Sequence, residues 1–239
     1  MRFQTPLVAA RLVRRYKRFL ADFVLEADGN AVTAHCPNPG AMTGLAEPGL
    51  RCWLEPAPPG RKLPFGWRLV DLPDGRHRAG IDTAVPNRIV AEALAEGRIA
   101  PLAGWPHVRA EVRMGERSRV DFLLGRDDGP PLWLEVKNVH LRRDGPAAEF
   151  PDCVTARGTR HLQELAHRVR GGDAAAMLYV IQRDDCTEFR LARDIDPAYA
   201  QAFDEARRAG VQMLAFGTRI APDGVWLAAP LPVNEPTQA

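Results

Sequence analysis

Three ionisable residues interrupt two apolar stretches near the middle of the chain. Asp121 lies in the stretch SRVDFLL, and Glu135 and Lys137 lie in the stretch LWLEVKNVHL. Because side chains alternate along a strand, Glu135 and Lys137 are predicted to share one face. A charge inside such a strand is costly unless it is paired, hydrogen-bonded or bound to a metal. Two carboxylates beside a lysine therefore predict a site for Mg²⁺ (or Mn²⁺), with Asp121 and Glu135 as the metal ligands.

The order of these residues resembles the PD-(D/E)xK nuclease signature, in which an Asp is followed after a gap by Glu-x-Lys. In that signature the carboxylates hold the metal, while the lysine orients or activates the attacking water and steadies the charge on the phosphate. The alternative interpretation is a structural Lys–Glu ion pair on a half-exposed sheet face. These three residues by themselves do not distinguish the metal site from the structural ion pair.

The flanking sequence predicts the elements that would position this group. An Asp-Asp-Gly-Pro-Pro cluster at 127–131 separates the two stretches, which indicates a turn and hence an antiparallel hairpin. Apolar periodicity predicts helices and strands around the hairpin. The predicted helices cover 86–96, 154–169 and 197–209, and the predicted strands cover 108–113, 174–182 and 211–216. This order predicts an α/β domain with one mixed central sheet.

The first 82 residues have a different pattern. Short alternating segments are separated by turns such as Asp28-Gly29-Asn30 and by loops at 37–40 and 56–60 that are rich in Gly and Pro. This pattern favours a small OB-like β-barrel. We therefore predict an α/β (α+β) fold with two domains. Residues 1–82 form an OB-like nucleic-acid-binding domain, and residues 83–239 form a nuclease-like domain.

The total charge of +2 conceals an asymmetry between these regions. Residues 1–80 contain 12 Lys and Arg against 7 Asp and Glu, a net of +5, and the remainder contains 20 against 23, a net of −3. A basic barrel is consistent with a polyanionic partner such as DNA. The candidate DNA contacts are clustered in sequence and mix cations with an aromatic ring: Arg14, Arg15, Tyr16, Lys17 and Arg18. The alternative is that Tyr16 and the following Phe19 are core residues and that the cations are merely solvated.

Composition and motifs exclude several other classes. A hydrophobic content of 46% with 26% charged residues is ordinary for a globular protein. No apolar run approaches the ~20 residues of a membrane span, and the first 19 residues carry too many cations for a signal peptide. We therefore expect a cytoplasmic protein without a membrane partner. The four cysteines form no CxxC pair, and a P-loop, GxGxxG and GxSxG are all missing from the sequence.

Several longer segments together resemble the sugar fermentation stimulation protein family. They are RYKRFLAD, VTAHCPNPGAM, PNRIVAEAL, SRVDFLL, EVKNVHL, FPDCVTARGTRHLQEL and IDPAYAQAF, and the resemblance covers nearly the whole chain. It implies an OB-like domain followed by a restriction-endonuclease-like domain. It also implies DNA binding with little sequence preference, mostly through backbone contacts, and a role in regulating sugar, particularly maltose, metabolism. The alternative function is Mg²⁺-dependent hydrolysis of phosphodiester bonds at Asp121, Glu135 and Lys137.

Further candidates follow from the comparison with such nucleases. Glu92 resembles the helix carboxylate that often joins this kind of metal site. Gln163 and Arg157 lie on the helix after the hairpin, where related nucleases place polar residues near the scissile phosphate. For each of these three, a solvated helix residue is the alternative. His35 and Asn38 are also candidates, although a turn role for Asn38 before a proline fits equally well.

Overall fold

The N-terminal strands form a closed barrel. The computed structural model describes residues 1–115 and 118–234. The barrel strands are β1 (Val8–Tyr16), β2 (Leu20–Leu25), β3 (Ala31–His35), β4 (Arg51–Pro56) and β5 (Phe65–Asp71). Antiparallel pairing joins β1 to β2 and β4, β2 to β3, and β4 to β5, and the parallel pairing of β3 with β5 closes the ring. The predicted OB-like barrel is confirmed.

Side-chain alternation along these strands builds the interior of the barrel. Phe23 on β2 and Trp67 on β5 are fully buried, and their rings meet edge to face with centroids 5.3 Å apart. The indole N–H of Trp67 donates to the carbonyl oxygen of Leu69 at 2.9 Å. The large ring can therefore be buried without leaving its polar atom unpaired.

The second domain is built on a mixed sheet. A short strand, β6 (Arg78–Gly80), pairs antiparallel with β5. The chain then forms α1 (Val85–Ala95) and a 3₁₀ turn (Ala100–Leu102). The remaining elements are β7 (His107–Met114), β8 (Ser118–Gly125), β9 (Leu132–Val139), β10 (Ala147–Phe150), α2 (Ala156–Arg170), β11 (Ala174–Ile181), β12 (Glu188–Leu191), α3 (Pro197–Ala209), β13 (Gln212–Ala221) and β14 (Gly224–Pro230). Sequence analysis did not predict β10, β12 and β14.

The strand order of the sheet is β14-β13-β11-β9-β8-β7. The central strands β9, β11 and β13 run parallel, whereas β7, β8 and β14 pair antiparallel with their neighbours. The helix α1 packs on one face against β9 and β14, and α2 and α3 pack on the other face. Because both faces of the central strands are covered, β11 reads as an almost continuous apolar run.

Capping residues fix where the two helices on the second face begin. The Thr155 hydroxyl accepts a hydrogen bond from Gly158 N at 3.1 Å, and the Asp196 carboxylate accepts one from Tyr199 N at 3.0 Å. The helix α3 ends at Gly210, whose φ of 103° is left-handed. These caps set the register of α2, and that register decides which of its side chains face the sheet.

Several contacts tie the domains together. Gly80 on β6 donates its N–H to the main-chain oxygen of Gln182 at 2.8 Å, and the Gln182 side chain donates to Asp82 O at 3.0 Å. The first residues of the chain, which sequence analysis assigned to the barrel, instead contact the second domain. Arg2 forms a bridge with Gly224, and the apolar side chain of Phe3 packs into the core beneath α1. Within the described ranges, no helix is long and apolar enough to cross a membrane.

Truncation of Trp67 tests the barrel core. Trp67→Ala removes a fully buried ring, so we expect a loss of about 3–5 kcal/mol in the free energy of unfolding, measured by urea denaturation. The matched control is Val13→Ala on β1, because Val13 is 46% exposed, and it should change stability by less than about 0.5 kcal/mol. Equal effects of the two substitutions would contradict this assignment of the core.

Candidate metal and phosphodiester site

Glu135 is the most buried carboxylate of the predicted group, with 3% of its surface exposed. It lies in β9, between apolar residues that pack into the cores on both faces of the sheet. Its Oε1 accepts hydrogen bonds from Lys137 Nζ at 2.5 Å and from His161 Nδ1 on α2. Burial opposes ionisation of Glu135, but the hydrogen bond from His161 and the charge of Lys137 outweigh it, so the pKa of Glu135 lies below its ordinary value.

The hydrogen bonds of His161 define which of its ring nitrogens carries the proton. Arg157 Nε lies 3.4 Å from His161 Nε2, and because an arginine can only donate, Nε2 is the acceptor. His161 therefore donates from Nδ1 to Glu135. Arg157, an exposed residue in the first turn of α2, is thus brought to the edge of this group through His161.

Asp121 lies where β8 and β9 stop pairing through their main chains. The pairing runs from Leu124–Leu132 to Phe122–Leu134. At the following position the Asp121 carboxylate accepts the N–H of Val136 through Oδ2 at 2.7 Å. Its Oδ1 accepts from the Asn87 side chain on α1, also at 2.7 Å. Asp121 is therefore held between the two strands, beside the residue that follows Glu135.

The two carboxylates are oriented from opposite faces of the sheet. Asn87 on α1 fixes Asp121, and His161 on α2 fixes Glu135. Burial, followed by the negative charge of Glu135, raises the pKa of Asp121 to about 6, against the hydrogen bonds from Val136 and Asn87. The group therefore combines an ionised Glu with an Asp that titrates near neutral pH.

One atom in this group has the property expected of a cation ligand. Glu135 Oε2 is buried and has no hydrogen-bond partner in the described part of the chain. A buried carboxylate oxygen without a partner is costly, and a divalent cation would satisfy it. Two carboxylates suit Mg²⁺, which usually takes one or two and completes its shell with water and phosphate. A ligand set made of protein side chains alone is not present, since the described residues contain no group of three or more His, Cys, Asp or Glu placed to hold a metal.

Glu92 and Gln163 are not brought to this group by the structure. The Glu92 carboxylate binds the α-ammonium of Met1 at 2.6 Å, next to β14. Gln163 is exposed and lines a shallow pocket of about 210 Å³ with Met114 and His167. Both residues lie on the predicted helices, but neither is among the hydrogen-bond partners of Asp121 or Glu135.

The five DNA-contact candidates of the barrel fall into two sets. Arg14 is ion-paired with Asp22 at 2.8 Å and lies over the Tyr16 ring, whose hydroxyl also donates to Asp22. Arg15 donates to the carbonyl oxygens of Asn38 and Gly40, which fastens β1 to the loop after β3. These three side chains are therefore engaged within the barrel.

Lys17 and Arg18 form the second set. Both are exposed at the β1–β2 turn, where their φ angles are 47° and 60°, and neither forms an ion pair with any residue that the structure describes. They are the members of the cluster whose charge is available to a partner.

Sequence analysis missed Asn87 and His161. Each lies inside a segment that carries the family resemblance, PNRIVAEAL and RGTRHLQEL, but a polar residue on an amphipathic helix gives no signal of what it faces. His161 differs from the exposed polar residues of α2, because it lies next to Leu162 on the buried face of the helix. A histidine at a position predicted to be buried was the sequence signal that it binds another polar group.

The fold and this group define a class of two-domain proteins in which an OB barrel precedes a domain built on a mixed sheet with helices on both faces. Comparison with known families supports this description for each of the two domains. The model described as SfsA N-terminal OB domain matches residues 13–77, and the model described as sugar fermentation stimulation protein RE domain matches residues 84–224. The chain belongs to the sugar fermentation stimulation protein family.

Relatives and a solved structure support this membership along the whole chain. A sugar fermentation stimulation protein homolog of Jannaschia sp. is 60% identical over 100% of this chain and 99% of its own. A homolog of Dinoroseobacter shibae is 60% identical over 100% and 98%. The solved structure of Pyrococcus furiosus SfsA in complex with Ca²⁺ superposes with a TM-score of 0.87 and 26% identity, covering 98% of each chain.

Asp121 should make the stability of the protein depend on pH. Its pKa is about 6 in the folded state and 3.8 ordinarily, so the folded chain keeps a proton that the unfolded chain loses first. Stability should therefore fall by about 2–3 kcal/mol as the pH rises from about 4 to above 6. Urea denaturation of wild type without divalent cations should show this fall, and Asp121→Asn should lack it.

The control for this measurement is Asp144→Asn, because Asp144 is an exposed carboxylate. It should follow the wild-type pH profile. A constant difference between wild type and Asp121→Asn across this range would contradict the raised pKa.

Proposed function

We propose that this protein binds DNA with little sequence specificity and hydrolyses its phosphodiester bonds with a divalent cation at Asp121 and Glu135. The observation that carries the hydrolytic part is the buried, unpartnered Oε2 of Glu135. It lies on a carboxylate that is kept ionised by Lys137 and His161. The Ca²⁺ complex of Pyrococcus furiosus SfsA supports a divalent cation in proteins of this fold. Mg²⁺ or Mn²⁺ is the proposed cation here.

When bound, the cation would lower the pKa of a coordinated water and stabilise charge on the phosphate. The residues of the chain have separate proposed roles. Asp121 and Glu135 would hold the cation, and Asn87 and His161 orient these carboxylates. In hydrolysis the water oxygen joins the phosphorus, one phosphodiester P–O bond breaks, and the proton of the water ends on the leaving oxygen.

In this proposal, Lys137 acts on the phosphate. Its ammonium lies 2.5 Å from Glu135 Oε1 and is mostly buried, with 13% of the side chain exposed. A preorganised cation in such a site stabilises developing negative charge more strongly than it would in water. Its interaction with Glu135 is also the structural ion pair of the alternative interpretation, and catalysis is what separates the two.

The binding part of the proposal depends on the barrel. Lys17 and Arg18 present charges at an exposed turn, and no counter-ion for them lies among residues 1–115 and 118–234. Contacts of lysine and arginine with phosphate carry no sequence information, which agrees with binding of low specificity. A role in regulating sugar, particularly maltose, metabolism would act through this binding.

Substitution of Lys137 tests the hydrolytic proposal. Lys137→Ala should reduce Mg²⁺- or Mn²⁺-dependent cleavage by roughly 10²-fold or more, as when one preorganised donor is lost. DNA affinity measured in EDTA should change little, because the barrel has its own cations. Glu135→Gln should also abolish calorimetric Mn²⁺ binding, whereas the surface control Glu96→Gln should cleave DNA and bind Mn²⁺ as wild type does.

The protein for this assay should come from a nuclease-deficient host. Equal cleavage by wild type and Lys137→Ala would place the activity elsewhere. Failure of wild type to cleave single-stranded, duplex and branched DNA would leave DNA binding as the function and make the Glu135–Lys137 pair structural.

The salt dependence of DNA affinity tests the role of the β1–β2 turn. Each phosphate contact made by a lysine or arginine contributes about 0.9 to the slope of log K against log salt. Removing the charges of Lys17 and Arg18 together by alanine substitution should therefore flatten the slope by about 2. Arg11→Ala on β1 is the control, because Arg11 is neutralised by Glu26 at 2.9 Å. A double variant with the wild-type slope would exclude this turn from the interface.

A further inference from the structure

An aromatic pair lies exposed at one end of the barrel. Phe19 follows Arg18 in the β1–β2 turn and has 48% of its surface exposed. Its ring lies nearly parallel to that of His35, at an interplanar angle of 15° with centroids 6.4 Å apart. His35 is the last residue of β3 and is also exposed. The main chain fixes this arrangement, because Cys36 N donates to Phe19 O at 2.8 Å.

Phe19 lies outside the core of the barrel. The barrel interior is already filled by buried residues such as Phe23 and Trp67. Phe19 is half exposed beside two left-handed residues of a turn, and it is not among the residues that form the barrel core. The pair is therefore available to a ligand.

Two cationic loops are connected to this pair. The β1–β2 turn carries Lys17 and Arg18, and the loop before β5 carries Arg61 and Lys62, which are exposed as well. The second loop leads directly into β5, whose Gly66 pairs with His35. Within the described part of the chain, none of these four cations forms an ion pair.

We propose that Phe19 and His35 form a stacking platform for unpaired bases of a nucleic acid, with these four cations holding its backbone. The proposal rests on the proposed function and names its substrate class as single-stranded DNA. Every base has a π-face, whereas the bases of a duplex are already stacked on one another. An exposed aromatic pair with exposed cations in the adjoining loops is therefore complementary to a single strand rather than to a duplex or an apolar partner.

One contact across the domain junction links the platform to the neighbourhood of Lys137. Three residues after His35, the side chain of Asn38 lies 3.3 Å from His140 Nδ1, and His140 lies three residues after Lys137. Each three-residue segment spans at most about 11 Å. His35 is therefore within about 30 Å of Lys137, so one strand of several nucleotides could contact both.

The test is the affinity of full-length protein for a fluorescein-labelled oligothymidylate and for a duplex of equal length, in EDTA so that no cleavage occurs. Wild type should bind the single strand more tightly. Phe19→Leu keeps the apolar volume but removes the π-face, so it should weaken single-strand binding by about 5-fold to 150-fold. It should leave duplex binding unchanged. Phe19→Trp should retain or improve single-strand binding, and Val24→Ala, at an exposed apolar position of β2, should have no effect.

A spectroscopic readout reports the stacking itself. An oligothymidylate that carries one 2-aminopurine should lose fluorescence when the modified base stacks on the platform, and Phe19→Leu and His35→Ala should restore it. Single-strand affinity unchanged in Phe19→Leu, or a wild-type preference for duplex, would overturn the platform. Phe19 is not among the proposed cation ligands, so the two proposals can fail separately. If Phe19→Leu weakens single-strand binding but wild type cleaves no DNA, only the hydrolytic function is refuted. If wild type and Phe19→Leu cleave single-stranded DNA equally well, only the platform is refuted.

Discussion

The structure of the second domain depends on one buried charge, the carboxylate of Glu135 in the middle of β9. An ionised carboxylate inside a sheet that is covered on both faces is strongly unfavourable without compensation. Lys137 supplies a countercharge from the same face, and His161 supplies a hydrogen bond from α2. Because α2 must present His161 to β9, the start of this helix and its packing on the sheet are coupled to the compensation of this charge.

The second carboxylate imposes a different constraint. Asp121 takes the place of a main-chain acceptor at the point where β8 and β9 separate, and it binds Val136 N–H directly. The separation gives two strands that are paired at one end and open at the other, with acidic groups in the opening. Helices on opposite faces hold the two carboxylates, so both layers of the domain contribute to one site. This arrangement explains why the site combines buried, preorganised groups with an open edge.

The barrel and the sheet domain meet through hydrogen bonds as well as apolar contacts. Leu69 and Trp53 of the barrel pack against the core beneath α1, and the buried Asn38 donates from Nδ2 to the buried ring of His140, whose Nδ1 lies 3.3 Å away. Burial lowers the pKa of His140 to about 4, so its ring is neutral near pH 7. Directional hydrogen bonds at a junction favour one relative orientation of the domains, because each bond is lost if the domains rotate.

The sequence by itself determined the division into barrel and mixed sheet, because the spacing of apolar residues and of Gly/Pro turns is a local property of the chain. It also identified Asp121, Glu135 and Lys137, since charges inside apolar strands are visible without a structure. Only the tertiary structure decided which residues join them. Asn87 donates to Asp121 and His161 donates to Glu135, whereas Glu92 binds Met1 and Gln163 is exposed. Helix periodicity tells which residues share a face, but the position of a helix over the sheet depends on long-range packing that no local pattern encodes. For the same reason, the sequence could not distinguish Arg14, which is neutralised by Asp22 on the neighbouring strand, from Lys17 and Arg18, which form no ion pair with the residues that the structure describes.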